Sequence, residues 1–175
     1  HLAYADKRQR LRIVDIARGS TRDVDTAHHD DITEYRWSPD GQWLAYTLES
    51  DAGLTRIWLY SLKDGSRTAV TEATSAASSP AFDPKGRWLY FLSSRDYNLQ
   101  FSAFEQNYLY TNATRIYAVS LAAEGPFLYA DAVATKSPAD DAGPAKHEVS
   151  ILHVEPQGMI GREQVLKAAS GNYQR

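Results

Sequence analysis

Apolar and aromatic residues fall along this chain in short runs separated by clusters of Asp, Gly, Pro and Ser. Trp43-Leu44-Ala45-Tyr46-Thr47-Leu48, Ile57-Trp58-Leu59-Tyr60-Ser61-Leu62 and Trp88-Leu89-Tyr90-Phe91-Leu92-Ser93 are such runs. Their β-branched, leucine and aromatic content predicts strands, and the punctuation between them predicts turns. Helical periodicity is nearly absent. The aromatics of Phe101 to Tyr110 recur at mixed spacings, and only there does a short helix compete with an irregular loop.

The runs repeat. Tyr35-Arg36-Trp37-Ser38-Pro39-Asp40-Gly41-Gln42-Trp43-Leu44-Ala45-Tyr46 aligns without a gap on Pro80-Ala81-Phe82-Asp83-Pro84-Lys85-Gly86-Arg87-Trp88-Leu89-Tyr90-Phe91, 45 positions later. Leu2-Ala3-Tyr4 matches Leu44-Ala45-Tyr46 at an offset of 42. The segments Leu11 to Ile16, Arg56 to Leu62 and Arg115 to Leu121 match one another in turn. A period of this length with four strands per unit predicts a β-propeller. The expected fold class is all-β: a partial propeller of about three four-stranded antiparallel blades.

Each strand can be assigned. Strand A ends in the aromatic before Ser38 or Asp83. Pro39 and Pro84 preset φ at the second position of a type I turn, and Gly41 and Gly86 supply positive φ. Strand B is Trp43 to Leu48, then Trp88 to Ser93. Strand C is Ile57 to Leu62, then Ile116 to Leu121. Asp64-Gly65 turns into strand D at Arg67 to Thr71. His147 to Pro156 and Glu163 to Lys167 read as two further strands, A and B of another blade. The blade parts are therefore 1–27, 32–72, 78–135 and 147–175, with a linker-like Ala-, Asp-, Pro- and Gly-rich segment over 122–146. The order begins and ends mid-blade, so this chain is not expected to close a ring alone. Its open strand edges invite association with a second copy.

Composition narrows the function classes. The net charge is −3 and no basic stripe exists, so a nucleic-acid surface is not expected. Cysteine is absent, which removes disulfides, zinc–cysteine sites and a thiol nucleophile. No apolar run approaches the roughly 20 residues of a membrane span. His28-His29-Asp30-Asp31 contains metal-ligating types, but it sits in an inter-blade link without a third ligand pattern, and a solvated loop is the better reading. His147 and His153 share a strand face yet stand about 20 Å apart, too far for one metal. No Gly-x-Ser-x-Gly elbow exists, and no cofactor is implied. Trp43, Trp58 and Trp88 occupy repeated strand positions, which favours packing between blades over ligand stacking.

Ser38-Pro39-Asp40-Gly41 followed by Trp43-Leu44-Ala45-Tyr46 resembles the propeller repeat of tricorn proteases, the Tol-system periplasmic propeller and the prolyl-oligopeptidase group. Ser79 to Asn98, with Arg95-Asp96 and a long aromatic insert after the blade strand, is more specific. It is similar to the second propeller of tricorn-like peptidases. Phe101-Ser102-Ala103-Phe104-Glu105, Tyr108-Leu109-Tyr110, Val154 to Met159 and Ala168 to Tyr173 continue that likeness, which covers the chain from about Ile32 onward. Met159 to Glu163 departs from the family's usual acidic pattern and leaves the last blade's register open. The resemblance implies a serine peptidase parent with two propellers, a PDZ-like module and a catalytic core. No catalytic residue carries over, because the match lies wholly within propeller sequence. It implies peptides or the parent's remaining domains as partners, and a prokaryotic cytoplasm or periplasm. A protein-binding propeller of the Tol type, with no peptidase attached, is the rival reading.

The strand order also assigns faces. Turns A–B and C–D lie at one end of each blade, and B–C connections and inter-blade links at the other. Both long segments, Arg95 to Thr114 and Ala122 to Lys146, are expected at that second end. Loops on a rigid scaffold carry binding residues, so Arg95, Asp96, Tyr97, Phe101, Phe104 and Glu105 are the candidate peptide or partner contacts.

Overall fold

The computed structural model describes residues 1–96, 99–104, 106–129 and 152–173. Three antiparallel sheets follow one another along the chain. The first holds β1 (Leu2–Ala5), β2 (Arg10–Asp15) and β3 (Ser20–Thr26). The second holds β4 (Tyr35–Trp37), β5 (Trp43–Glu49), β6 (Thr55–Ser61) and β7 (Arg67–Ala69). The third is built from β8 (Ala77–Phe82), β9 (Trp88–Ser93), β12 (Arg115–Ser120) and β13 (Glu163–Val165), in the order β13-β12-β9-β8. Between β9 and β12 stands a separate hairpin of β10 (Leu99–Ser102) and β11 (Asn107–Tyr110).

The repeated turns form as their residues dictate. Gly41 has φ 67° and donates its N–H to the Ser38 carbonyl at 2.9 Å. Gly86 has φ 68° and bonds Asp83 at 2.8 Å. Ser38 closes its turn twice over, donating its hydroxyl to Asp40 at 2.6 Å and accepting the Trp43 N–H at 2.9 Å. The expected strands B and C appear in register, Tyr46 opposite Trp58 and Phe91 opposite Tyr117.

Two apolar layers join the sheets. Leu11, Ile13, Val24 and Ile32 meet Leu44, Tyr46 and Tyr60 between the first and second sheets. Ala45, Ile57, Leu59 and Val70 meet Leu89, Phe91, Val119 and Leu121 between the second and third. The middle sheet is thus buried on both faces, and this is why its strands read as continuous apolar runs. Each fully buried large side chain stabilises the stack by roughly 1.5–3 kcal/mol. Polar ties cross the same seams. The Tyr46 hydroxyl donates to Asp25 at 2.6 Å, and Arg67 pairs with the same carboxylate at 2.5 Å. Ser79 holds φ 55° at a bulge in β8, where its N–H and hydroxyl donate to Glu34 at 2.6 and 3.2 Å.

Four expectations need correction. Glu163–Val165 is a strand, but it pairs with β12 (Tyr117 opposite Val165) as the fourth strand of the third sheet, not as strand B of another blade. Leu152 to Pro156 lies outside any strand. The Phe101 to Tyr110 stretch is a hairpin, because pairing Phe101 with Tyr108 sets these two rings on one face. The segment after β12 is therefore a C–D connection, and it departs from the proline-turn end rather than the opposite one. Leu121 donates to Arg87, and Leu152 donates to Asp40 at 2.9 Å, both beside those turns.

Leu152 to Pro156 forms a strap over this end. A Cβ on Gly86 would fall 2.4 Å from the Leu152 side chain, whereas Gly41 has open space. Gly86→Ala is therefore expected to cost more than the ~1–2 kcal/mol that Gly41→Ala costs through its left-handed backbone alone. Paired urea unfolding measurements check it, and equal losses would show that Leu152 is not seated against this turn.

Candidate functional site

β9 runs away from the Pro84 turn, so the insert that follows it leaves at the opposite end of the blade. Its root is pinned by charge. Arg95 folds back along the third sheet, donating Nε to Ser75 at 2.8 Å and to Ser93 at 3.0 Å. Its Nη1 meets Glu163 at 2.5 Å, and its guanidinium lies 4.6 Å from the Tyr117 ring centre. Glu163 is mostly buried, which strengthens a charge-assisted bond of this kind. Asp96 accepts from Arg115, and its N–H donates to Ala113 at 3.0 Å, closing the base of the insert.

Beyond that root the hairpin carries an unpaired apolar face. Phe101 packs edge-on against Tyr108 at 5.4 Å between ring centres. Phe101 is nevertheless 59% exposed and Phe104, at the tip, 97%. From Leu99 to Ala113 the sequence holds a single charged residue, Glu105. Tyr97 and Glu105 lie outside the described residues. The candidate residues thus divide: Arg95 and Asp96 are engaged within the blade, while Phe101 and Phe104 face solvent. Sequence reasoning missed Glu163 and Tyr117 as partners of Arg95. No sequence signal marked them, because the repeat counterpart of Arg56, which covers Trp58 at 5.3 Å, is Arg115 and not Arg95.

His29 and His153 are held locally. His29 bonds Asp51 at 3.0 Å, and His153 bonds Glu155 at 2.5 Å; His147 lies outside the described residues. Trp88 is buried, and Trp43 and Trp58 are partly buried against the two inter-sheet layers. No described helix is long and apolar enough to cross a membrane.

Comparison with known proteins agrees with this geometry. The family model described as the tricorn protease second beta propeller domain matches residues 1–175. A tricorn protease homolog of Saccharolobus solfataricus is 32% identical over 108 residues, covering 57% of this chain and 10% of that protein. The tricorn protease of Thermoplasma volcanium is 26% identical over 127 residues, covering 69% of this chain and 12% of its own length. A crystal structure of the tricorn protease superposes with a TM-score of 0.82 at 19% identity, over 98% of this chain and 16% of that one. The chain therefore spans about a tenth of the length of these curated relatives. It belongs to the family of tricorn protease second β-propeller domains.

Proposed function

We propose that this chain is a non-catalytic propeller segment of a tricorn-like serine peptidase, guiding or filtering peptide substrates and scaffolding a catalytic core that lies outside it. The supporting observation is the aromatic, nearly uncharged hairpin standing clear of the third blade at the end away from the proline turns. Phe101 and Phe104 supply the contact surface, and Tyr97 and Glu105 are candidates by sequence alone. Arg95 and Asp96 act by fixing the root of the hairpin. An exposed aromatic patch on a rigid scaffold is what contact with a partner or an extended peptide requires. The gene's reading frame is expected to continue into a PDZ-like module and a serine-bearing core.

The test is the double substitution Phe101→Ser, Phe104→Ser in the intact protein. Peptide turnover should fall severalfold in kcat/KM, with the melting temperature nearly unchanged because both side chains are already exposed. Unchanged turnover would remove the peptide-contact role. A melting temperature that falls with activity would assign the hairpin to domain packing instead. The open edges of the outer sheets also favour association with further blades or a second copy. A clean monomer of this chain by sedimentation at high concentration would count against the second copy.

A further inference from the structure

The proline-turn end holds a cavity of about 670 Å3 between the second blade and the strap, within the size range of small-ligand sites. Trp43 lines it, half-buried, with its inner side packed on the layer between the second and third sheets. Leu152, Val154 and Pro156 of the strap form an apolar wall. Asp40 and Asp64 supply carboxylates from the two turns of the blade.

Both carboxylates are held in place. Asp40 accepts the Ser38 hydroxyl at 2.6 Å and the Gln42 N–H at 3.1 Å on one oxygen, and the Leu152 N–H at 2.9 Å on the other. The same residue therefore shapes the turn and holds the strap across the cavity. Asp64 accepts the N–H and hydroxyl of Ser66 at 3.0 and 2.8 Å. The Ser66 N–H and the Ser61 and Ser66 hydroxyls lower its pKa to about 2, so it is ionised at any working pH. Lys63, the one cation among the described lining residues, is exposed on a flexible stem and can turn to solvent.

An aromatic ring, an apolar wall and two fixed anions complement an aliphatic stem ending in a cation. We infer that this cavity takes a lysine or arginine side chain from an extended peptide, its stem along Trp43 and the strap and its head towards Asp40 and Asp64. The site lies at the opposite end of the blade from the Phe101–Phe104 surface, and it does not depend on the role proposed for that surface.

Calorimetric titration of the intact protein with Ac-Ala-Ala-Lys-Ala-Ala-NH2, and with the same peptide carrying norleucine for lysine, tests the site. The lysine peptide should bind about tenfold more tightly than the norleucine one, and more weakly as salt rises. Asp64→Asn and Trp43→Leu should each weaken it severalfold with the melting temperature checked alongside, and the asparagine side-chain oxygen can still cap Ser66. Equal binding of the two peptides, or no binding of either at millimolar concentration, would overturn the inference. So would lysine-peptide binding that survives Asp64→Asn and Trp43→Leu together. If that surviving binding were lost in the Phe101→Ser, Phe104→Ser variant, the peptide would sit on the hairpin instead.

Discussion

Replacing Phe91 by alanine is expected to destabilise the stack by about 3–5 kcal/mol, the range for emptying a buried aromatic position. Phe91 is fully buried in the layer between the second and third sheets, and it stacks on Tyr117 at 5.6 Å between ring centres. Its neighbours Leu59, Leu89 and Val119 sit on paired strands that cannot close the gap without shifting the ladder. The loss also removes one of the rings beneath the Arg95 guanidinium, which lies 6.0 Å from its centre. Phe91→Leu keeps most of the volume and should cost less than half as much. Urea unfolding gives the magnitude. Amide exchange should show the damage concentrated in β5, β6, β9 and β12, with β1 to β3 little affected, since stacked repeats couple mainly to their neighbours. Uniform acceleration across all three sheets, or a cost near that of Phe91→Leu, would contradict the layered packing.

What the sequence disclosed, and what it hid, follow from the range of the interactions involved. The turns at Ser38 and Asp83 were legible because proline, glycine and a capping side chain act within a few residues. The strands between them were legible because a sheet buried on both faces leaves a continuous apolar run. The 45-residue offset then ordered the blades without any long-range contact being known. β13 was misplaced because its partner β12 lies across a long insertion, and nothing in Glu163-Gln164-Val165 states which sheet it completes. The same insertion put the strap at the proline-turn end, a consequence of β13 being strand D. In the candidate site, the exposed Phe101 and Phe104 were readable as aromatics without a repeat counterpart. The fate of Arg95 was not, since its carboxylate partner is 68 residues away. Tyr46 and Phe91 make the limit concrete. They share one repeat position, yet one carries a hydroxyl that must find an acceptor in the preceding blade and the other does not.

That hydroxyl sets the second large effect, a loss of stability in alkali. Tyr46 is fully buried, and burial foremost, then its hydrogen bond to Asp25 and the charge of that carboxylate, push its pKa far above the usual 10; Arg67 opposes the shift. In the unfolded chain the phenol titrates near 10. A raised pKa means that the folded state holds a proton the unfolded state gives up. The contribution is complete below pH 10 and declines as pH rises beyond it. The loss is about 1.4 kcal/mol for each pH unit while the folded phenol stays protonated. Between pH 10 and 11.5 this amounts to about 2 kcal/mol. Tyr46→Phe should remove that part of the slope, at a cost of about 1.5–3 kcal/mol at neutral pH for the lost bond to a charged acceptor. The carboxylate is not stranded, because Arg67 still pairs with it. Some alkaline sensitivity should remain in the variant, since burial also raises Tyr90. Urea unfolding of both proteins at pH 9 and pH 11.5 makes the comparison. The wild type should lose about 2 kcal/mol more than Tyr46→Phe over that interval, and parallel losses would mean that the Tyr46 hydroxyl reaches water and does not lock the first blade to the second.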